Sequence, residues 1–378
     1  MKNHLLNILN LFFSLFPIKR NQLLFIDYYG AKYGDSPAVL SEHIVETHPE
    51  WKIVWAFNNP GPFEISDVIK IRYMSVNFFW ELNTSGIIIT NYRMPEFFRK
   101  RKGQKYLQTW HSSLRLKKIE KDAQDNLPPH YIKMAQLDSK NIDLIISGSQ
   151  MSSATFKNSF WYKGEVLECG TPRIDKLINI SPNRLNDLKN LMDIKENERV
   201  ILYCPTFRHH EEDKKYYLDP FLFYNMLHES SPNINWKVLI RYHPHESMGN
   251  HFVRETTKIK DVTPYSDVQD LISIADILVT DYSGVMFDFA YTSKPCFLFV
   301  PDLVQYIAKE RELYFDINTL PFPVSSTYTE LVDQIININR EKYSWEIKKF
   351  LESVGSFEKG VACEKVTKKL EEWVKKKE

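Results

Sequence analysis

Cysteine is scarce in this chain: Cys169, Cys204, Cys296 and Cys363 are the only four among 378 residues. They lie far apart with no paired spacing, which argues against a disulfide framework or a thiol-based zinc site. The first three sit in or beside apolar runs, where a cysteine is a small buried side chain in a reducing compartment. An excess of one charge is also missing. Lys and Arg number 49 against 48 Asp and Glu, a net charge of +1. A dedicated nucleic-acid binder shows a basic excess, so no nucleic-acid partner is expected. No apolar run reaches the roughly 20 residues that a spanning helix needs. The nearest, NHLLNILNLFFSLF at 3–16, ends at Pro17. Phe16-Pro17-Ile18 is a poor cleavage site for a signal peptide.

That run has Asn3, Asn7, Asn10 and Ser14 on one helical face and Leu5, Ile8, Leu9, Phe12 and Phe16 on the other. It reads as an amphipathic helix in a membrane interface, with packing on the first domain as the plainer alternative. The chain as a whole has ample material for folded cores, with 43% hydrophobic residues. Candidate strands fall at 22–28, 51–57, 86–90, 105–110, 142–146 and 165–169, then at 199–204, 236–242, 259–263, 276–280 and 295–300. Helical periodicity marks 37–48, 183–193, 217–230, 267–274, 283–292 and 326–340. Near-continuous apolar strands alternating with helices predict parallel sheets covered on both faces. Two such series, broken near 178–197, predict an α/β protein with two Rossmann-like domains. The boundaries read as an interface helix at 1–20, a first domain at 21–180, a second at 181–355 and a terminal helix at 356–378. The charges of that last helix read as a solvated face, with contact to anionic lipid as the alternative.

Several nucleotide-binding and catalytic signatures are absent. There is no GxxxxGK(S/T) loop, no GxGxxG after the first strand, no GxSxG elbow, no HExxH and no Asp-x-Asp pair. A diphosphate handled here would be neutralised by side chains and helix starts rather than by a carboxylate-held metal.

Five segments carry chemistry, four of them just after predicted strands, where open α/β sheets bind ligands. In QTWHSSLRLKK (108–118), His111 can deprotonate a hydroxyl. Ser112, Ser113, Arg115, Lys117 and Lys118 could hold phosphate or an anionic acceptor, or His111 could cap a turn beside solvated lysines. In CGTPRIDKL (169–177), Arg173 and Asp175 could form a local salt bridge that shapes an interdomain hinge, or the turn is only structural. In YCPTFRHH (203–210), Thr206 and Arg208 make a reasonable phosphate clamp, while His209 and His210 read as solvated. In IRYHPHE (240–246), Arg241 and His243 precede Pro244. His243 can donate to a phosphate oxygen, and His245 reads as peripheral. In DYSGVMFDF (281–289), Asp281, Ser283 and Gly284 open a helix whose free N–H groups suit an anion, unless Ser283 is an ordinary cap. Asp288 could cap, pair or reach a ribose hydroxyl.

These segments, with LVTDYSGVMFDFAYTSKPCFLFVPDLVQY and the early GAKYGDSP, resemble the CDP-glycerol glycerophosphotransferase family of teichoic-acid and capsule synthesis. The resemblance covers about 22–320 in the family's motif order. It implies a GT-B fold, two Rossmann-like domains facing a central cleft, with the acceptor mainly in the first half and the donor mainly in the second. It implies peripheral attachment to the cytoplasmic face of the membrane and a lipid-linked acceptor. The family's acceptor-activating base, the histidine of WHGT, falls on His111. Its RxHP histidine, which stabilises the pyrophosphate, falls on His243. Thr206 and Arg208 match PTFR, and Ser283 and Gly284 match the serine of DYS and its neighbour. The chain departs from the pattern at Ser112 and Ser113 (WHSS for WHGT), Ile174 (PRID for PRND) and Gly284 (DYSG for DYSS or DYST).

The resulting expectation is transfer of glycerol phosphate, or a related polyol phosphate, from CDP-glycerol to a hydroxyl of a lipid-linked precursor, with release of CMP. His111 and His243 are the catalytic candidates. Thr206, Arg208, Arg241, Asp281, Ser283, Gly284 and Asp288 are the donor candidates. Ser112, Ser113, Lys117, Arg173 and Asp175 line the acceptor side. No cofactor is expected to be required, with stimulation by a divalent cation left open. The short chain favours a priming or single-addition role. A GT-B glycosyltransferase using a nucleotide sugar and a non-catalytic, membrane-associated glycan-binding protein are the alternatives.

Overall fold

The computed structural model of the chain describes residues 2–208, 211–243, 255–309 and 312–375. Its contacts divide it into two units. The first comprises Met1–Ser113, Ile119–Lys176 and Gly355–Glu378; the second comprises Leu114–Lys118 and Leu177–Val354.

The first unit runs α1 (Lys2–Phe13), β1 (Lys19–Ile26), α2 (Asp35–Thr47), β2 (Lys52–Phe57), β3 (Ile69–Arg72), α3 (Val76–Thr84), β4 (Ser85–Thr90), β5 (Lys105–Gln108), α4 (Pro129–Ser139), β6 (Leu144–Ser147), α5 (Gln150–Ser159), β7 (Glu165–Glu168) and α6 (Pro172–Ile178). Its seven strands are ordered β3-β2-β1-β4-β5-β6-β7, and every pairing is parallel. Because side chains alternate across a strand, each strand feeds two cores. Leu24, Ile26, Val54, Ala56 and Ile88 meet Phe78, Phe79 and Phe156 from α3 and α5. Leu23, Phe25, Ile53, Trp55 and Ile87 meet Leu40 and Ile44 from α2 on the other side. Burial on both faces is why these strands read as unbroken apolar runs.

The second unit runs α7 (Pro182–Leu191), β8 (Glu198–Cys204), α8 (Pro220–Ser230), β9 (Asn235–Ile240), β10 (Ile259–Asp261), α9 (Val268–Ile274), β11 (Ile277–Thr280), α10 (Val285–Ala290), β12 (Cys296–Phe299), α11 (Leu303–Lys309), β13 (Val324–Ser325), α12 (Tyr328–Asn337) and α13 (Arg340–Ser353). The order is β10-β9-β8-β11-β12-β13, again with parallel pairing throughout. Both units thus show the Rossmann order, with switch points between β1 and β4 and between β8 and β11.

The last helix, α14 (Ala362–Lys375), does not stand apart as the reading of 356–378 had it. Ala362, Val366 and Leu370, spaced by four, bury one stripe in the α2 side of the first unit's core. Residues 114–118 belong to the second unit, where Lys117 bridges Leu313 and Tyr314 N–H donates to the Leu116 carbonyl at 2.7 Å.

The first helix also differs from expectation. Leu6, Leu9, Phe13 and Phe16 pack on the first unit's core. Asn10, placed on a polar outer face by the sequence, faces inward. Its amide donates to the Phe97 carbonyl at 3.1 Å, and it accepts from Asn83 at 2.9 Å. The outer face is apolar instead, with Ile8, Leu11, Phe12 and Leu15 exposed by 62%, 71%, 54% and 78%. The side chains of Asn3, Leu5 and Asn7 lie outside the described residues.

Candidate active site

At the first unit's carboxyl edge, β5 stops at Gln108 and the chain turns sharply. Trp110 takes a positive φ of 53°, a left-handed conformation that costs a bulky residue energy and persists only where its surroundings enforce it. They do so here. The Gln108 side chain receives the Trp110 N–H at 2.9 Å, and the indole packs on Phe160 with ring centroids 4.7 Å apart. Arg93 lies over both rings and is itself paired with Glu120 at 2.9 Å and Asp138 at 3.3 Å.

The next residue, His111, is thereby presented at the edge. Its ring stacks on Tyr92 with centroids 4.8 Å apart, and its Nδ1 lies 3.1 Å from the Asn91 carbonyl oxygen. A carbonyl can only accept, so that bond puts the proton on Nδ1 and makes Nε2 the acceptor nitrogen of the neutral ring. Asn91 is fixed in turn, donating to Asp27 at 2.6 Å and accepting the Tyr28 N–H at 3.1 Å. Burial, aided by the nearby Asp35 and Asp27 charges, holds the Tyr28 and Tyr92 phenols above their usual pKa, so both stay neutral. Asp27 and Asn91 escaped the sequence reading. Their signal was a polar residue directly after an apolar strand, at β1 and β4.

Arg173 and Asp175 do not pair with each other. Both lie on α6, and residues two apart on a helix point away from one another. Arg173 donates to the His111 carbonyl at 2.6 Å and pairs with Asp35 at 3.2 Å, so it braces His111 rather than a hinge. Asp175 accepts from the Cys363 N–H at 2.7 Å, capping the start of α14. Ser113, expected on the acceptor side, is buried and donates to Glu358 at 2.7 Å. Ser112 beside it is only partly buried. Lys117 and Lys118 serve the second unit. Lys117 sits 5.1 Å over the Tyr306 ring, and Lys118 pairs with Glu312. Arg115 is buried, which pulls its pKa down to about 10.

The second unit gathers its candidates after three adjacent strands. After β8, the Thr206 N–H donates to Asp281 Oδ1 at 2.8 Å. Its own hydroxyl oxygen is enclosed with no hydrogen-bond partner among the described residues. Arg208, expected to clamp phosphate, is only 4% exposed. It pairs with Asp281 at 3.0 Å and Asp302 at 3.1 Å. Burial opposes its charge, but the two carboxylates outweigh that and hold its pKa above normal. Its guanidinium also faces the rings of Tyr282 and Tyr306, which stack 3.5 Å apart. Tyr282 donates to Asp302 at 2.8 Å. Asp302 lies in the motif run that carries the resemblance but was given no role, because its pairing with Arg208 spans 94 residues.

After β9, Arg241 donates to the carbonyls of Tyr265 and Ser266, and His243 is exposed with its ring 5.5 Å from Phe207. His209, His210, Pro244 and His245 lie outside the described residues. After β11, Ser283 is partly buried and Gly284 caps α10. A Cβ at Gly284 would meet nothing closer than the Leu114 carbonyl at 4.0 Å, so a serine or threonine fits there. Asp288 is buried and accepts from Gln269 at 2.9 Å, which places it inside the fold rather than toward a ligand. All four cysteines are free and buried.

With two such edges on two Rossmann units in place, the model of the family of CDP-glycerol:poly(glycerophosphate) glycerophosphotransferases matches residues 8–372. The chain belongs to it. The teichoic acid poly(glycerol phosphate) polymerase of Bacillus subtilis (strain 168) is 29% identical over 93% of this chain. This chain spans only about half of that relative, 49% of its length. The teichoic acid glycerol-phosphate transferase of Staphylococcus aureus is 28% identical, with 92% of each chain covered. Among solved structures, the wall teichoic acid polymerase TagF, as a histidine-to-asparagine variant soaked with CDPG, is 25% identical with a TM-score of 0.87. It matches 98% of this chain and 94% of its own. This family member therefore has the GT-B class of fold.

Proposed function

We propose that this chain transfers glycerol phosphate from CDP-glycerol to a hydroxyl of a lipid-linked teichoic-acid or capsule precursor. The observation that carries the reading is the contact of His111 Nδ1 with the Asn91 carbonyl oxygen at 3.1 Å. A ring whose Nδ1 is tied to a carbonyl offers Nε2 to a substrate proton, as a general base must. In the step, the acceptor oxygen attacks the β-phosphorus and a new P–O bond forms. The bond from that phosphorus to the bridging oxygen breaks, CMP leaves with the bridging oxygen, and the acceptor proton goes to His111 Nε2.

The second unit's carboxyl edge binds the donor. Ser283 and His243 contact the phosphates, where donors aimed at developing charge are worth most, beside the enclosed Thr206 hydroxyl. Arg208 shapes that edge through Asp281 instead of touching the ligand. Membership of the family and the names of its relatives support glycerol phosphate as the unit transferred. Length does not separate priming from polymerisation, since this chain matches nearly all of a transferase and nearly all of a solved polymerase chain. The test is a donor panel of CDP-glycerol, CDP-ribitol and UDP-sugars with crude membrane lipid as acceptor. Nucleotide release with CDP-glycerol is expected to exceed that with any UDP-sugar by at least about 10²-fold. A preference for a UDP-sugar would establish the glycosyltransferase alternative, and silence with every donor the non-catalytic one.

No helix among the described residues is long and apolar enough to cross a membrane. Attachment to the cytoplasmic face is assigned to the outer ridge of α1. Four large side chains there can each gain about 1.5–3 kcal/mol on leaving water. Replacing Leu11 and Leu15 together by glutamate should cut binding to anionic phospholipid vesicles at least ~10-fold while leaving the melting temperature unchanged. Undiminished vesicle binding would remove the ridge from this role.

A further inference from the structure

The segment that returns to the first unit before α14 brings in an acid that no motif singles out. There the chain pairs with the loop after β6: Ser149 bridges Ser356 in antiparallel fashion, Phe357 N–H donates to the Gly148 carbonyl at 2.8 Å, and Gln150 N–H donates to the Gly355 carbonyl at 2.9 Å. This delivers Glu358 with its carboxylate directed inward. Oε1 accepts the Ser113 hydroxyl at 2.7 Å and the Thr171 hydroxyl at 2.9 Å, and Oε2 accepts the Thr171 N–H at 2.8 Å.

Two glycines make room for it. A Cβ at Gly148 would stand 2.1 Å from both Glu358 Oε1 and Ser113 Oγ, and one at Gly170 would stand 2.8 Å from Oε2. Gly170 also has a φ of +91°, which favours glycine. The carboxylate therefore fastens the loops that follow β5 and β7, while the backbone of its own segment holds the loop after β6. The loop after β5 is held a second time, since the Ser152 hydroxyl donates to the Ser113 carbonyl. Burial lifts the Glu358 carboxyl to about 7 against the pull of its hydrogen bonds from Ser113 and Thr171.

We propose that Glu358 is a positioning residue for His111, acting through Ser113 to fix the exit of the 109–113 turn. This rests on the reading of His111 as the base. His111 itself is tied at its ring by Asn91 and at its carbonyl by Arg173. The Glu358–Ser113 bond supplies the anchor two residues downstream, so that the strained turn at Trp110 cannot relax by sliding forward. An acid suits the place, because three donors converge on it and a carboxylate is acceptor-only.

The test is a cycle of Ser113→Ala, Glu358→Ala and the double variant, with Glu358→Gln as the conservative form. Both single variants should lower kcat for CMP release at least ~10-fold with KM for CDP-glycerol within about twofold, because the donor is held by the other unit. The double variant should be no worse than the poorer single one, and Glu358→Gln should recover most of the rate by keeping an acceptor for the Thr171 N–H. Ser113→Ala removes one oxygen from a folded turn, so it reports even where Glu358→Ala fails to fold. Full kcat in Ser113→Ala, or independent multiplicative losses in the cycle, would overturn the proposal. Hydrogen exchange at 109–113 gives a readout without substrate. Faster exchange in Ser113→Ala supports the anchor, and unchanged exchange refutes it, even where a wild-type chain inert toward CDP-glycerol has already removed the functional reading.

Discussion

Replacing His111 by alanine is expected to lower CMP release from CDP-glycerol at least ~10²-fold, with KM for the donor changed by no more than about threefold. The size of the loss reflects the task of the side chain. An imidazole nitrogen held in a fixed direction removes a proton that water removes poorly. The split between kcat and KM reflects where the residues sit. His111 belongs to the first unit, whereas Thr206, His243 and Ser283 belong to the second. The variant should also fold. The contacts of the Trp110 indole with Phe160 and Arg93, and the Gln108 bond, hold the turn in the variant, which loses the ring contacts of the imidazole with Trp110 and Tyr92. Initial rates with labelled donor check this, and a variant that keeps near-normal turnover would remove His111 from the role.

Arg208→Ala should act differently, by weakening the second unit. The guanidinium lies between Asp281 and Asp302 and against two tyrosine rings, all of it buried. Removing one partner leaves two carboxylates facing each other without a counter-charge, a change that typically costs about 3–5 kcal/mol. In a unit of this size that is a fall of roughly 10 °C in melting temperature. Arg208→Lys should rescue little, because an ammonium cannot present a planar fork to two acids. A melting curve taken beside the donor KM separates the possibilities. An unchanged melting temperature with a raised KM would mean that Arg208 contacts the donor after all.

The two sheets were legible in the sequence because their strands are buried on both faces. A run such as Leu23–Ile26 or Ile277–Thr280 has no polar interruption to hide it. Two strands that lack such a run escaped. β3 is an edge strand of sequence IKIR with one buried residue of four, and β13 is two residues long. Helix α1 shows a different limit. Its sequence has one polar stripe, and the natural reading turns that stripe to water. In the structure Asn10 finds partners in α3 and the loop after β4, so apolar side chains are left outside. Periodicity reports that a helix has faces, but not which face its neighbours claim.

The site was legible where chemistry is local. His111, Thr206 and Ser283 all come just after strand ends, and the structure places them at the carboxyl edges. The partners that long-range folding supplies remained hidden. Arg173 looked like the mate of Asp175, but a helix turned them apart. Asp302 and Glu358 stand 94 and 245 residues from Arg208 and Ser113, and only the folded chain joins them. Buried polar pairs of this kind give no pattern in sequence, because their spacing is set by topology and not by the pitch of any element.

The nucleotide product reveals which bond of the donor breaks, and with it whether a hydroxyl attacks phosphorus. Incubated with CDP-glycerol and an acceptor lipid, the protein should release CMP in amounts equal to the glycerol phosphate gained by the acceptor. Both should disappear together in the His111→Ala variant. Release of CDP in place of CMP would show cleavage at carbon and contradict attack at phosphorus by a hydroxyl that His111 has deprotonated.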